Sequence, residues 1–322
     1  MRRTRYEQFH LAQNEFIKIT RKKGTLLSLF FLFLIVLLAG LIMNHELDAS
    51  SDNNWKERLL AEKKQEEIDK PAETTGVYYS ADVKNKDYYL EHNINPYEWN
   101  GWRFFGTVTS NGLEIFVSLT AILTVSGVVS KEFALGTIKF IATSPNRRWR
   151  ILTSKFLASL LFTGMIYLFY CVSCLLIGGV LFGFSNASYP LVYTHLNDSL
   201  YTISSIKASG IILLLRFISI ISIVTIAFTL SVLCKSQALS LCLSILLLFA
   251  GSILGGTDLL AQFTWYKFTL FPHLNLVAYV NKSAGDAIST LNIPYSVTVI
   301  AIYFLICLLI SFSVFQKRDI TA

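Results

Sequence analysis

Long apolar stretches alternate with short polar ones along most of this 322-residue chain. Runs at about 25–43, 112–130, 154–184, 208–234, 238–257 and 295–315 each approach the roughly 20 residues that carry a helix across a bilayer. The pattern predicts six helical spans. Three stretches outside the runs have patterns of their own. Residues 4–20 place Tyr6, Phe9, Phe16 and Ile19 near helical spacing with bases between them, which suits a helix lying in the membrane interface; a frayed basic tail is the alternative. After the first run, Asn53 or Asn54 is placed to cap a helix that Pro71 ends, and Arg58/Glu62 and Lys63/Glu67 are spaced as i,i+4 pairs on a solvated face. A Tyr- and Trp-rich stretch follows, suited to packing on that helix, to the membrane surface, or to contact with a substrate.

Two later connections differ from each other. Residues 185–207 read as a short polar loop. Residues 258–294 contain TWYKFTLFPHLNLVAYV, apolar but broken by Lys267, Pro272, His273 and Asn275. A re-entrant pair of half-helices is expected there in place of a seventh crossing, because irregular backbone at membrane depth must be covered by protein or water.

Composition sharpens this picture. Apolar residues make up 53% of the chain and charged ones 15%, against about a quarter charged in soluble domains. The expected fold class is an all-α integral membrane protein: an interfacial helix over 1–23, a first span over 24–43, an external insert over 44–110, and spans two to six within 111–322. The first run follows a long basic arm and precedes no convincing small-x-small site, so it reads as an uncleaved anchor.

Charge gives the orientation. Lys and Arg concentrate in the arm (Arg2, Arg3, Arg5, Lys18, Arg21, Lys22, Lys23), in 131–155 (Lys131, Lys139, Arg147, Arg148, Arg150, Lys155), at Lys235 and at Lys317 and Arg318. With six spans all four segments share one side, the cytoplasm by the positive-inside rule. The 44–110 insert carries 13 acids against 8 bases and belongs outside.

Candidate chemistry is sparse. Cys171, Cys174, Cys234, Cys242 and Cys307 lie in or beside spans and read as small buried residues, not as a disulfide framework. His10, His45, His92, His195 and His273 stand singly and match no metal spacing, and no nucleophile elbow, zincin or phosphate-loop motif occurs. The expectation is a non-catalytic chain with no cofactor or metal of its own and no nucleic-acid partner. Arg216, about two turns into its span, either faces the bundle as an intramembrane polar site or snorkels to the interface. Glu114 opens the second span and is explained by the helix N-terminus alone.

One segment stands apart. KEFALGTIKFIATSPNRRWR, between spans two and three, combines an acid, five bases, two phenylalanines, a glycine and a proline. Glu132 to Thr143 suits a short helix with Phe133, Phe140 and Ile141 near one face. Gly136 admits close approach of another surface, and Ser144-Pro145 suits the cap and first turn of the next span.

Glu132-x-x-x-Gly136-Thr137, then Ser144-Pro145, then Arg147-Arg148-Trp149 and Lys155, resembles the permease subunits of type-2 ATP-binding-cassette transporters. A basic arm ending Arg21-Lys22-Lys23, Pro272 and a closing Phe315-x-Lys317-Arg318 add weaker matches. The resemblance implies a cytoplasmic coupling helix at 131–144 that docks on an ATPase subunit, with Phe133 and Phe140 as anchors and Glu132, Lys139 and Arg147 as orienting charges around Gly136. It also implies two ATPase subunits per complex that carry ATP and Mg, a second permease protomer of the same or a different kind, and export from the cell membrane with both termini cytoplasmic. The insert is similar in placement to those of Gram-positive permeases for peptide-antibiotic resistance or sodium and drug efflux, which leaves drug, peptide antibiotic or another amphipathic molecule as the substrate. A membrane sensor or assembly scaffold with a ligand-binding ectodomain is the alternative.

Overall fold

The computed structural model describes residues 2–48, 54–69, 76–138, 147–185, 188–194, 200–255, 263–279 and 292–318. Six helical segments in it are long and apolar enough to cross a membrane. They are α2 (Lys23–Asp48), the broken pair α6 (Ile115–Val125) and α7 (Ser130–Ala134), α8 (Arg148–Phe182), α9 (Ser205–Leu233), α10 (Gln237–Gly255) and α11 (Ile293–Lys317). Before and between the first two spans lie α1 (Arg2–Thr20), α3 (Trp55–Asp69), α4 (Gly76–Glu91) and α5 (Gly101–Ser110).

Burial sorts the spans. On α6 and α9 residues such as Val117, Ala121, Val224 and Phe228 are buried against Phe162, Ile166 and Tyr170 of α8. On α2 Leu32 and Val36 are buried in this core and Leu29, Leu37 and Met43 pack against it, while Leu26, Leu27, Phe30, Phe31 and Ile42 are exposed. Such an outward row of large apolar side chains suits lipid, a solvent as apolar as they are. At 35 residues α8 is about 52 Å long, well beyond a hydrocarbon core of about 30 Å. Its two ends therefore reach both surfaces of the bundle.

At one end α5 lies against α8. A Cβ at Gly178 would stand 2.8 Å from Phe104 and 3.1 Å from the Gly101 backbone, so glycine there permits the contact. Gly101 N–H donates to the Gly183 carbonyl at 2.8 Å, and the Ser209 hydroxyl donates to the Trp102 carbonyl at 2.8 Å. Phe104, Phe105 and Val108 are buried. The last ten residues of the expected external insert thus belong to the bundle. Their run is too short to be read as a span, and Asn111-Gly112 separates it from the apolar residues that follow.

The described remainder of the insert, α3 and α4, packs beside this end. Arg58 pairs with Glu62 as the spacing predicts, and Lys63 reaches Asp87 of α4 at 2.5 Å; the side chain of Glu67, its expected partner, lies outside the described residues. The 185–207 connection corrects the all-α expectation: Pro190–Thr194 (β1) and Leu200–Ser204 (β2) form an antiparallel hairpin with Val192 opposite Thr202. Runs of Val, Thr, Tyr, Ile and Leu suit a pleated ladder, and Val192 N–H finds the Tyr89 hydroxyl at 3.3 Å.

Residues 263–279 are irregular, but in place of the expected pair of half-helices they form three short 3-10 turns, Thr264–Phe268, Phe271–His273 and Leu276–Tyr279. They pack on α9, α10 and α11, with Tyr266, His273, Leu276 and Val277 buried. His273 Nε2 lies 2.9 Å from the Lys267 carbonyl and Nδ1 2.8 Å from the Ser296 hydroxyl. A carbonyl only accepts, so Nε2 carries the proton and Nδ1 accepts from Ser296. Burial pushes His273 below its ordinary value of 6.5, with the Lys267 carbonyl pulling weakly the other way. Below that value the unfolded chain takes up a proton that the folded one resists, so stability falls with falling pH. Thermal unfolding on either side of the ordinary histidine value should show this acid loss in the wild type and a smaller loss in His273→Gln. Equal losses in both would remove His273 as its source.

Candidate functional site: a buried charge network at the basic end of the bundle

The four basic segments meet at the other end of α8. Arg148 donates to the carbonyls of Gln316 (3.3 Å) and Arg318 (3.1 Å). Arg318 in turn donates to the carbonyls of Val232 (2.6 Å) and Leu233 (2.9 Å), satisfying the C-terminus of α9.

Within this end, Lys155 on the first turns of α8 is 1% exposed. Burying an ammonium without a partner is prohibitively unfavourable. Its Nζ lies 2.6 Å from Glu132 Oε1 and 3.0 Å from Glu15 Oε2. Lys18, more than half exposed, reaches the same Glu132 oxygen at 3.1 Å. Two acids and two bases from α1, α7 and α8 thus form one neutral network. Ile19 and Ala12, beside it on α1, are buried, while Phe9 points out, so only part of the expected apolar stripe faces the protein.

Short α7 is held from a second direction. The chain breaks after Val125, and the N–H groups of Val129 and Ser130 at the start of the next turn both donate to Ser231 Oγ of α9, at 3.0 and 3.1 Å. These are the orphan donors that every helix start presents. A helix of five residues has no stability of its own, so these contacts define it.

The expected coupling residues therefore divide. Glu132 is turned inward into the network and is not an exposed orienting charge, because buried Lys155 requires it. Phe133 is half-buried against the core, with the Arg318 guanidinium 4.6 Å from its ring centre. Gly136 is exposed with φ +69, a left-handed backbone that favours glycine, and among the described residues nothing lies within 4 Å of an added Cβ. Arg147 is exposed and precedes α8 in extended conformation, its carbonyl accepting from Arg150 N–H at 2.9 Å. Lys139 and Phe140, like Ser144 and Pro145, lie outside the described residues.

Three residues here escaped the sequence reading. Glu15 and Lys18 supply half the network from 140 and 114 residues away from their partners. Leu135, at the tip beside Gly136, is 64% exposed. Together with Glu15, Lys18, Lys22, Lys131 and Glu132 it lines an open cavity of about 400 Å³ between α1 and α7.

A second buried charge sits at another level. Arg216 faces the bundle: Nη1 is 2.7 Å from Glu114 Oε1, Nε donates to the Thr109 carbonyl at 3.2 Å and Nη2 to the Ser110 carbonyl at 2.9 Å. That decides between bundle and interface, and it corrects the account of Glu114, which makes no capping hydrogen bond and serves as the partner of Arg216.

Residues 77–321 match the model of a family described as a protein of unknown function, DUF2705. The chain belongs to the DUF2705 family. It is 31% identical to the uncharacterized protein YhcI of Bacillus subtilis (strain 168) over 316 residues, covering 97% of this chain and 99% of that one. It is also similar to the uncharacterized membrane protein YdbK of the same organism, at 24% identity over 209 residues, 65% of this chain and 79% of that one. Membrane-crossing helices and a relative described as a membrane protein agree: this DUF2705 protein is a multi-pass membrane protein. The family match takes in Glu114, Glu132, Lys155 and Arg216 and begins after α1.

The network ranks its own variants. Glu132→Ala leaves fully buried Lys155 with Glu15 alone and should cost about 3 kcal/mol, whereas exposed Lys18→Ala should cost under about 1 kcal/mol. Reversible unfolding in detergent measures both, and equal losses would contradict the ranking by burial. At Gly136, alanine should cost about 1 kcal/mol from backbone strain and asparagine less, since asparagine tolerates the left-handed region better. A larger loss for asparagine would mean that space, not conformation, selects glycine there.

Proposed function

We propose that this chain is the membrane-spanning permease subunit of an ATP-binding-cassette exporter, with its basic end in the cytoplasm, where two ATPase subunits carrying ATP and Mg dock on it. A second permease protomer, of the same or a different kind, completes the path across the cell membrane. The observation that carries this reading is the network at Lys155. A docking element transmits motion only if it is fixed to the spans, and α7 is tied to α8 and α1 by buried ion pairs and to α9 by Ser231.

In this mechanism ATP binding closes the two ATPases, each pushes on the α7 turn, and the push passes through Glu132 and Lys155 into α8 and through Ser231 into α9. Exposed Leu135 is the apolar contact and Lys131 and Arg147 the surrounding charges, with Glu132 and Phe133 as the inner supports. Docking sites of this kind draw most of their affinity from a few buried apolar anchors, and charges set the register. The substrate class follows from the resemblance: a drug, a peptide antibiotic or another amphipathic molecule.

Purification of the tagged chain from its native membrane should bring down an ATPase bearing a phosphate loop. Leu135→Asp should reduce that recovery more than tenfold, a loss expected for a charge placed at a docking anchor, with membrane insertion unchanged. No ATPase in the wild-type sample, together with a cellular phenotype that survives substitution of the phosphate-loop lysine, would overturn the reading in favour of a sensor or scaffold.

A further inference from the structure

Lys155 and Lys18 neutralise both carboxylates of the buried network, yet two further cations stand beside it. Lys22 and Lys131 reach solvent, and among the described residues neither side chain makes an ion pair or a hydrogen bond. Both line the open cavity of about 400 Å³ between α1 and α7, together with Glu15, Lys18 and Glu132. With Lys155 behind them, four ammonium groups are gathered around two carboxylates. Lys22 feels the excess: partial burial first, then the ammonium groups of Lys131 and Lys18, push it below its ordinary value of 10.5, with Glu15 opposing and Lys155 adding least. Like charges held this close repel, and an anion entering between them relieves the repulsion.

The surroundings of the cavity select the kind of anion. Ile19 and Val128 are buried in its wall, and Leu135 is exposed at its edge. Leu26 and Leu27, about 6 Å further along the chain from Lys22, are exposed and begin the row on α2 that suits lipid. The cations thus sit within one helical turn of the lipid-facing residues, at the level of head groups. Lysine is a compact charge with three rotatable donors, suited to the several oxygens of a phosphate. We propose that this cavity binds the phosphate of an anionic phospholipid, neutralised by Lys22 and Lys131, with the acyl chains running along Leu26 and Leu27 of α2. The chemistry recognised is a phosphate ester whose charge is not cancelled within the ligand, so phosphatidylcholine, which carries its own ammonium, is discriminated against. Basic pockets beside spans hold anionic head groups by the same electrostatics. The inference concerns lipid binding by this chain alone and stands without the ATPase reading. Loss of one leaves the other intact.

The test is native mass spectrometry of the full chain in a non-ionic detergent, titrated with phosphatidylglycerol or phosphatidylcholine of the same acyl chains. The first phosphatidylglycerol should bind about tenfold tighter than the first phosphatidylcholine, and Lys22→Gln with Lys131→Gln should remove that preference. Arg21→Gln with Lys23→Gln removes the same charge beside the cavity but not from its lining, and should keep most of the preference. Glycerol phosphate, which has the phosphate without the chains, should fail to displace phosphatidylglycerol at equal concentration. Equal affinity for the two lipids in the wild type, an unchanged preference in the Lys22 and Lys131 double variant, or the same loss in the Arg21 and Lys23 pair would overturn the proposal. Displacement by glycerol phosphate would overturn the lipid assignment in favour of a soluble phosphate ester. If the double variant inserts poorly, each single variant changes one solvent-facing side chain and should lose about threefold.

Discussion

An ammonium removed from water must be met by negative charge, and Lys155 is the group in this bundle for which that requirement is most severe. Its position on the first turns of α8 sends it into the junction of three elements, where only side chains from the other two can reach it. Glu132 draws in α7 and Glu15 draws in α1. Apolar contact between α1 and α8 through Ala12 and Ile19 brings the helices together but would tolerate sliding, since burial is non-directional. Ion pairs at 2.6 and 3.0 Å fix the register. The α7 turn, too short to persist alone, inherits its place from that constraint and from Ser231.

The same physics governs the buried pair at Arg216. Where α5 ends and the chain turns through 111–114 toward α6, the carbonyls of Thr109 and Ser110 have lost helical partners. Arg216 supplies donors to both and takes its counter-charge from Glu114 in the same turn. A break in a helix at this depth is thereby satisfied from a neighbouring span. Glu114 and Arg216 line a cavity there, and the irregular 263–279 segment adds Asn275 to its lining.

These two sites suggest a division of labour along the bundle. At the basic end, inner charges hold the α7 turn in place while Leu135 and neighbouring cations remain outside. Deeper, the Glu114–Arg216 pair lines a cavity between α6, α9 and α10. Membership of the DUF2705 family, with a relative matching along nearly the whole chain, means that both arrangements can be compared across proteins of the same build. Glu132 and Phe133 support the α7 turn from within, so their substitution reports first on how firmly that turn is held.

The sequence by itself determined the spans, the clustering of bases into four segments and the irregularity near Pro272 and His273. Each of these follows from local composition: apolar length, charge count, or the conformational range of one residue. Partner choice was beyond its reach. Nothing local pairs Lys155 with Glu15, or Arg216 with Glu114, because residues 140 and 102 positions apart meet only when helices pack. Nor does periodicity separate α5 from the polar insert, since ten residues are too few to announce a buried helix until Gly178 lets it approach α8. Whether a charge in KEFALGTIKFIATSPNRRWR points out toward a partner or in toward a lysine is set by what lies behind it, and only the tertiary structure supplies that.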